Sequence, residues 1–95
     1  MSYQMLVTFN VDSENVARFL EIMQMAKSQI AGAEGCDSVE LLHSTENPGK
    51  VMLSETWQSK ELHDAFAEKM QAAGSLDALA SFLVGKPEPE LFEIL

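Results

Sequence analysis

Four side chains are placed to do chemistry: His63, Glu55, Trp57 and Asn10. Histidine is the natural general base near neutral pH, because its unperturbed pKa is about 6.5. At about 100° per helical residue, His63 borders the apolar arc of Phe66 and Met70. It therefore reaches either the edge of a cavity or the half-exposed flank of a helix. Glu55 shares a strand face with Leu53 and Trp57. A carboxyl there is either buried, with its proton affinity raised, or paired with a backbone N–H or Arg18. Trp57, the only tryptophan, offers an indole N–H on an apolar wall, and equally suits a plain core anchor. Asn10 ends the first strand, where its amide either orients a polar substrate group or serves a turn. Two bases, donors and an apolar wall suit proton abstraction in a dry pocket that holds the resulting oxyanion. Phe66, Met70, Leu53, Phe19 and Met23 are the candidates to line it. The methionines fit a flat hydrophobic ligand or an ordinary adaptable core.

Other reactive residues carry less. His43 shares a strand face with Val39 and Leu41 and reads as a hydrogen-bonded sheet residue. The two histidines and scattered acids lack ligand spacing, and one cysteine builds no thiolate site, so no metal is expected. Gly32 and Gly35 follow a helix rather than precede one, so no phosphate loop or nucleotide cofactor is expected. Cys36, close to Glu34 and Asp37, lacks the electropositive setting of a nucleophile and reads as packing.

The elements that must position these residues follow from periodicity. Tyr3 to Val11 alternates as a strand, with Leu6 hinting that its second face is also covered. Asp12 and Ser13 offer N-cap oxygens for a helix of roughly five turns, striped by Val16, Phe19, Leu20, Met23 and Ile30. Gly32 and Gly35 mark its end as left-handed caps. Ser38 to Thr45 is a second strand and Val51 to Trp57 a third. The turn between them carries Pro48-Gly49, which suits type II geometry. Centring it near Pro48 sets Leu41 opposite Glu55 and Val39 opposite Trp57. Ser59 caps a second helix bearing Leu62, Phe66, Met70 and Ala73. Ser75 caps a short helix with Leu76, Leu79, Ala80 and Leu83, which Gly85 and Pro87 stop; Glu90 to Leu95 is a final strand.

That order predicts an α+β, ferredoxin-like split βαβ fold: a four-stranded antiparallel sheet with both main helices on one face. Residues 1–95 form a single domain. The other sheet face stays apolar and uncovered in a monomer, which predicts a homodimer with sheets facing each other. The net charge of −9, from 15 acids against 6 bases, argues against nucleic acid and anionic membranes as partners. With 46% hydrophobic and 22% charged residues the chain is neither disordered nor membrane-spanning. The N-terminus lacks a signal-peptide pattern, so the cytoplasm is the expected compartment.

Glu34-Gly35-Cys36, Asn47-Pro48, Ser54-Glu55-Thr56-Trp57 and Ser59 before the Leu62 helix occur in an order that resembles the antibiotic biosynthesis monooxygenase (ABM) family, over nearly the whole chain. That family shows E-G-C at the start of its second strand and E-x-W-x-S before its second helix. The resemblance implies a dimeric α/β barrel of two ferredoxin-like protomers. In some members it implies oxygenation of polycyclic aromatic phenols or quinols without metal or flavin; related members bind and degrade haem. Many members carry a histidine nine residues after the tryptophan. Here that position is Phe66, and His63 stands one turn earlier. The haem-degrading pattern asks for an axial histidine on the second helix and an asparagine on the first strand. The displaced His63 and Asn10 match it only loosely, so haem degradation is not expected.

Two functions follow. One is a cofactor-independent monooxygenase acting on an aromatic phenol or quinol, with His63, Trp57, Asn10 and Glu55 in the site. The alternative is a non-catalytic small-ligand-binding or regulatory module of the same fold, towards which Phe66 pulls. An enclosed space of a few hundred Å³ touching Trp57 and His63, about what small-ligand sites need, separates them.

Overall fold

In the computed structural model, residues 2–95 are described, apart from the side chains of residues 75 and 76. The strands are β1 (Tyr3–Asn10), β2 (Cys36–His43), β3 (Lys50–Trp57) and β4 (Glu88–Glu93). The helices are α1 (Val16–Ala31), α2 (Lys60–Ala72) and α3 (Ser75–Leu79), with a 3-10 turn over Ala80–Phe82. The sheet order is β2-β3-β1-β4, and every neighbouring pair is antiparallel.

Alternation decides which face each residue takes. Along β3, Val51, Leu53, Glu55 and Trp57 are buried, while Met52, Ser54 and Thr56 are half-exposed. The buried set meets Phe9, Val11 and Val39 from the sheet and Phe19, Met23 and Ile30 from α1, forming the core. Leu6, Thr8, Met52, Leu42 and Phe92 fall on the opposite, uncovered face, where Leu42 and Phe92 are exposed. The open face therefore carries apolar residues, as expected, among the polar Gln4, Glu40, Ser54 and Thr56.

Several boundaries differ from the sequence-based expectation. In the hairpin, Val39 pairs with Glu55 and Leu41 with Leu53, two residues away from the expected register. Side-chain parity is unchanged, because a two-residue slip keeps each residue on its face. The turn is centred earlier: Lys50 N–H donates to Asn47 O at 2.9 Å, and Ser44 Oγ accepts from the N–H groups of Glu46 and Asn47. Gly49 has no positive φ, so the turn is not type II. Glycine is needed there because a Cβ would lie 2.8 Å from Val11 O, whose N–H donates to Gly49 O.

The α1 helix starts at Val16, later than expected. Asp12 Oδ1 instead accepts from Glu14 N–H at 3.1 Å, a local turn that competes with capping, and Asn15 begins the helix without a side-chain cap. Gly32 at its end is right-handed; the left-handed glycine is Gly35, φ 86°. The α3 helix has Gly74 as N-cap; the expected cap by Ser75 and the apolar role of Leu76 lie outside the described side chains. β4 runs two residues earlier than expected and contains Pro89, tolerated because β4 is an edge strand.

Candidate functional site

The site is built where β3 hands over to α2. Trp57 is the last residue of β3 and is fully buried. Two residues later Ser59 Oγ accepts from Leu62 N–H at 3.2 Å, capping α2. This short connection drops the first turns of α2 onto the indole. His63 lies edge-on to Trp57, with ring centroids 5.6 Å apart and an interplanar angle of 77°. Phe66, three residues on and so on the same helical face, sits 5.3 Å from the indole at 41°. His63 is the one buried residue of α2, so it stands at the centre of the inward stripe rather than at its border.

Gly35 explains how α2 comes so close. A Cβ at Gly35 would lie 2.5 Å from Leu62 Cδ1. The strand-start glycine thus leaves a seat for the residue next to His63. Gln58 N–H donates to Gly35 O at 2.8 Å, tying the β3–α2 junction to the start of β2.

Glu55 is buried on the same face as Trp57, and its Oε1 accepts the indole N–H at 2.8 Å. The partner is therefore neither a backbone N–H nor Arg18, which is exposed and faces Glu21 at 3.8 Å. The indole N–H is committed to Glu55, so Trp57 is not a free donor for a substrate oxyanion. Burial pushes the Glu55 carboxyl above the usual carboxylate range, while the indole hydrogen bond and nearby His63 pull it partly back. His63 Nδ1 lies 3.1 Å from Asp64 Oδ1, and the other Asp64 oxygen accepts from Lys60 Nζ at 2.8 Å. Lys60, then His63, hold the Asp64 carboxyl below its ordinary range.

The remaining expected site residues disperse. Asn10 is exposed, pairs with Lys50, and lies on the uncovered face at the end of β1 opposite Tyr3, which pairs with Trp57. It does not join the site: a strand turns alternate side chains to opposite faces, and Asn10 has the wrong parity. Phe19 is buried but stacks on Phe9 at 5.3 Å and near Phe82 at 6.4 Å, at the Val51 end of β3. Met23 and Leu53 belong to the same core, and Met70 is half-buried one turn beyond Phe66. Of the expected lining, Phe66 is the member in ring contact with Trp57. His43 behaves as expected, its Nε2 2.7 Å from Pro48 O. Sequence reasoning missed Asp64 and Lys60, although their i,i+4 spacing on a helix is a legible signal. Two open hollows, of about 320 and 240 Å³, lie on the uncovered face, the first lined in part by Leu6, Met52 and Phe92 and the second by Leu42 and Met52. Neither reaches Trp57, Glu55 or His63. Among the described residues, no group of three or more His, Cys, Asp or Glu could hold a metal ion, and no helix is long and apolar enough to cross a membrane.

The strand order, the helices on one face and the strand-end indole beneath α2 define the class: an α+β protein of ferredoxin-like fold. Within that class the chain belongs to the antibiotic biosynthesis monooxygenase family, whose model matches residues 2–73. None of the curated proteins matches it. Several solved structures share the fold. A conserved protein from Methanosarcina mazei Go1 has a TM-score of 0.90 at 17% identity, covering 100% of this chain and 94% of that one. SnoaB, a cofactor-independent oxygenase from Streptomyces nogalater, has a TM-score of 0.85 at 15% identity, covering 98% and 92%. A monooxygenase from the gene ActVA-Orf6 of Streptomyces coelicolor, in complex with nanaomycin D, has a TM-score of 0.83 at 22% identity, covering 99% and 88%.

Proposed function

We propose that this chain is a monooxygenase that needs no metal or organic cofactor and oxidises an aromatic phenol or quinol with dioxygen. The observation that carries this reading is that the buried Glu55 and His63 both meet Trp57. Buried ionisable groups are costly and cluster where chemistry needs them. Family membership and the likeness to SnoaB, described as a cofactor-independent oxygenase, support it. His63 takes the phenolic proton, and the electron-rich anion reduces dioxygen. One oxygen atom enters the ring carbon, the other leaves as water, and the substrate supplies all the electrons. Glu55 holds the indole and, with its raised proton affinity, returns a proton at the site. The working form is a homodimer, joined through the face that carries Leu6, Leu42, Met52 and Phe92.

The test is oxygen uptake by metal-stripped protein across a panel of quinols and polyphenols. His63→Ala is expected to lose uptake and keep the dimer. Uptake at the wild-type rate in that variant removes His63 from the mechanism.

A second reading is favoured by one observation. Trp57 is 0% exposed, its N–H is taken, and Phe66 occupies the flank where many members carry histidine. A site filled by its own side chains suits a non-catalytic binding or regulatory module. Tight binding of a flat aromatic ligand without oxygen uptake by any quinol establishes that alternative.

A further inference from the structure

Asp64 lies next to His63 in sequence and faces its ring nitrogen Nδ1 at 3.1 Å. Its second oxygen is held by Lys60 Nζ at 2.8 Å, one helical turn back. A carboxylate so paired stays ionised and can only accept hydrogen bonds. The partner nitrogen must then be the donor.

We propose that Asp64 is a positioning residue that holds His63 in the Nδ1–H tautomer and so makes Nε2 the free basic nitrogen beside Trp57. The proposal rests on the reading of His63 as the base of this site, and names both the atom that acts and the group that aims it. Three observations bear on it. The His63 side chain is nearly buried, 10% exposed, against 50% for Asp64, so the carboxylate sits at the rim and the ring points inward. The edge-on contact with the indole fixes the ring plane. No hydrogen bond to Nε2 occurs among the described residues, and no fully buried side-chain nitrogen or oxygen there lacks a partner, so Nε2 keeps some contact with solvent. Glu55 from β3 is the other charged group that acts on the ring; Asp64 acts from its own helix, and Lys60 acts on Asp64.

The chemical consequence is specific. A neutral imidazole free in water prefers the Nε2–H form. Left to that preference, His63 would present a donor at Nε2 and could not remove a proton from a phenol. Asp64 reverses the preference, because a hydrogen bond at one ring nitrogen sets which nitrogen keeps the lone pair. Lys60 fixes the carboxylate and so limits its loss to solvent.

The experiment is ¹⁵N NMR of the histidine side chains in the full chain, at a pH where the imidazole is neutral. His43 is the only other histidine, and His43→Gln assigns the signals. The expected result is a protonated Nδ1 and an unprotonated Nε2 for His63, with Asp64→Ala shifting the population towards Nε2–H. Asp64→Asn keeps an oxygen acceptor and is expected to retain more of the Nδ1–H form than Asp64→Ala. A wild-type His63 that is mainly Nε2–H overturns the proposal, as does an unchanged tautomer in Asp64→Ala. Should that variant fail to fold, the wild-type spectrum alone still decides. With a competent quinol, Asp64→Ala is expected to lower kcat by about tenfold or more with KM little changed, and Asp64→Glu to recover part of the loss. A correct tautomer in a protein that consumes no oxygen with any quinol overturns the proposed oxygenase function and leaves the positioning role standing.

Discussion

The indole N–H of Trp57 donates to Oε1 of Glu55 across 2.8 Å, two residues back on the same strand and on the same face. One strand period thus supplies both the buried carboxyl and the donor that satisfies it. The two behave as a unit, and their neighbours His63 and Phe66 arrive from α2.

Glu55 sets a pH dependence of stability. Its folded-state proton affinity is raised, chiefly by burial. The folded state therefore holds this proton more tightly than the unfolded chain does. The resulting stabilisation is complete below the unfolded carboxylate range, about pH 4, and is lost as pH rises through the higher folded value. Glu55→Gln keeps an acceptor for the indole and removes the buried charge. Its Tm is expected to exceed wild type at pH 7 to 8, with the gap closing on acidification, as thermal melts followed by circular dichroism will show. A lower Tm for the variant at neutral pH would contradict this.

Trp57 anchors both layers. Trp57→Phe removes the N–H and leaves Glu55 without its donor, which is expected to cost about 1–3 kcal/mol. Trp57→Ala also opens a large void in a fully buried site and is expected to cost about 3–5 kcal/mol. Urea unfolding measures both, and the order of the two losses is the point to check.

Gly35 is where local backbone and tertiary packing demand the same residue. Its φ is 86°, and a Cβ would strike Leu62. Gly35→Ala is expected to destabilise by about 1–3 kcal/mol and to displace α2. That displacement should alter the near-ultraviolet signal of Trp57. Adding Leu62→Ala removes the contacts with Cδ1 and Cγ but leaves Leu62 Cβ at 2.8 Å and the backbone strain, so it should restore the Trp57 signal more fully than the stability. Full recovery of both in the double variant would show that the φ carries no cost.

The uncovered sheet face predicts the assembly. Leu42 and Phe92 are exposed there, 46% and 41%. Leu42→Glu with Phe92→Glu places new carboxylates on that face, where a face-to-face pair would bury them. Sedimentation is expected to fall from twice the 10.5 kDa chain mass to the single chain. A wild-type protein that already sediments as one chain at micromolar concentration excludes the dimer.

Much of the fold was legible in the sequence because it rests on short-range periodicity. The period of two in β1 and β3, the helical stripe of α1 and the Ser59 cap appear where expected, and they lead to the ferredoxin-like order. The boundaries that moved were decided by competing local hydrogen bonds. Asp12 turns inward on Glu14 instead of capping α1, and Ser44 and Asn47 pull the hairpin turn forward.

By itself the sequence determined the face on which each strand residue lies, hence the burial of Glu55 beside Trp57 and the apolar open face, because alternation in a strand is a local geometric rule. Its motifs also sufficed to place the chain in its family. Only the tertiary structure decided that Phe19 belongs to the far end of the core, that the indole N–H is spent on Glu55, and that His63 rather than Leu62 takes the centre of the buried stripe. Those outcomes depend on how far α2 sinks onto the sheet and which end of each strand it covers. The seat at Gly35 and the crossing of β3 into α2 settle that, and residues distant in sequence must meet before either exists.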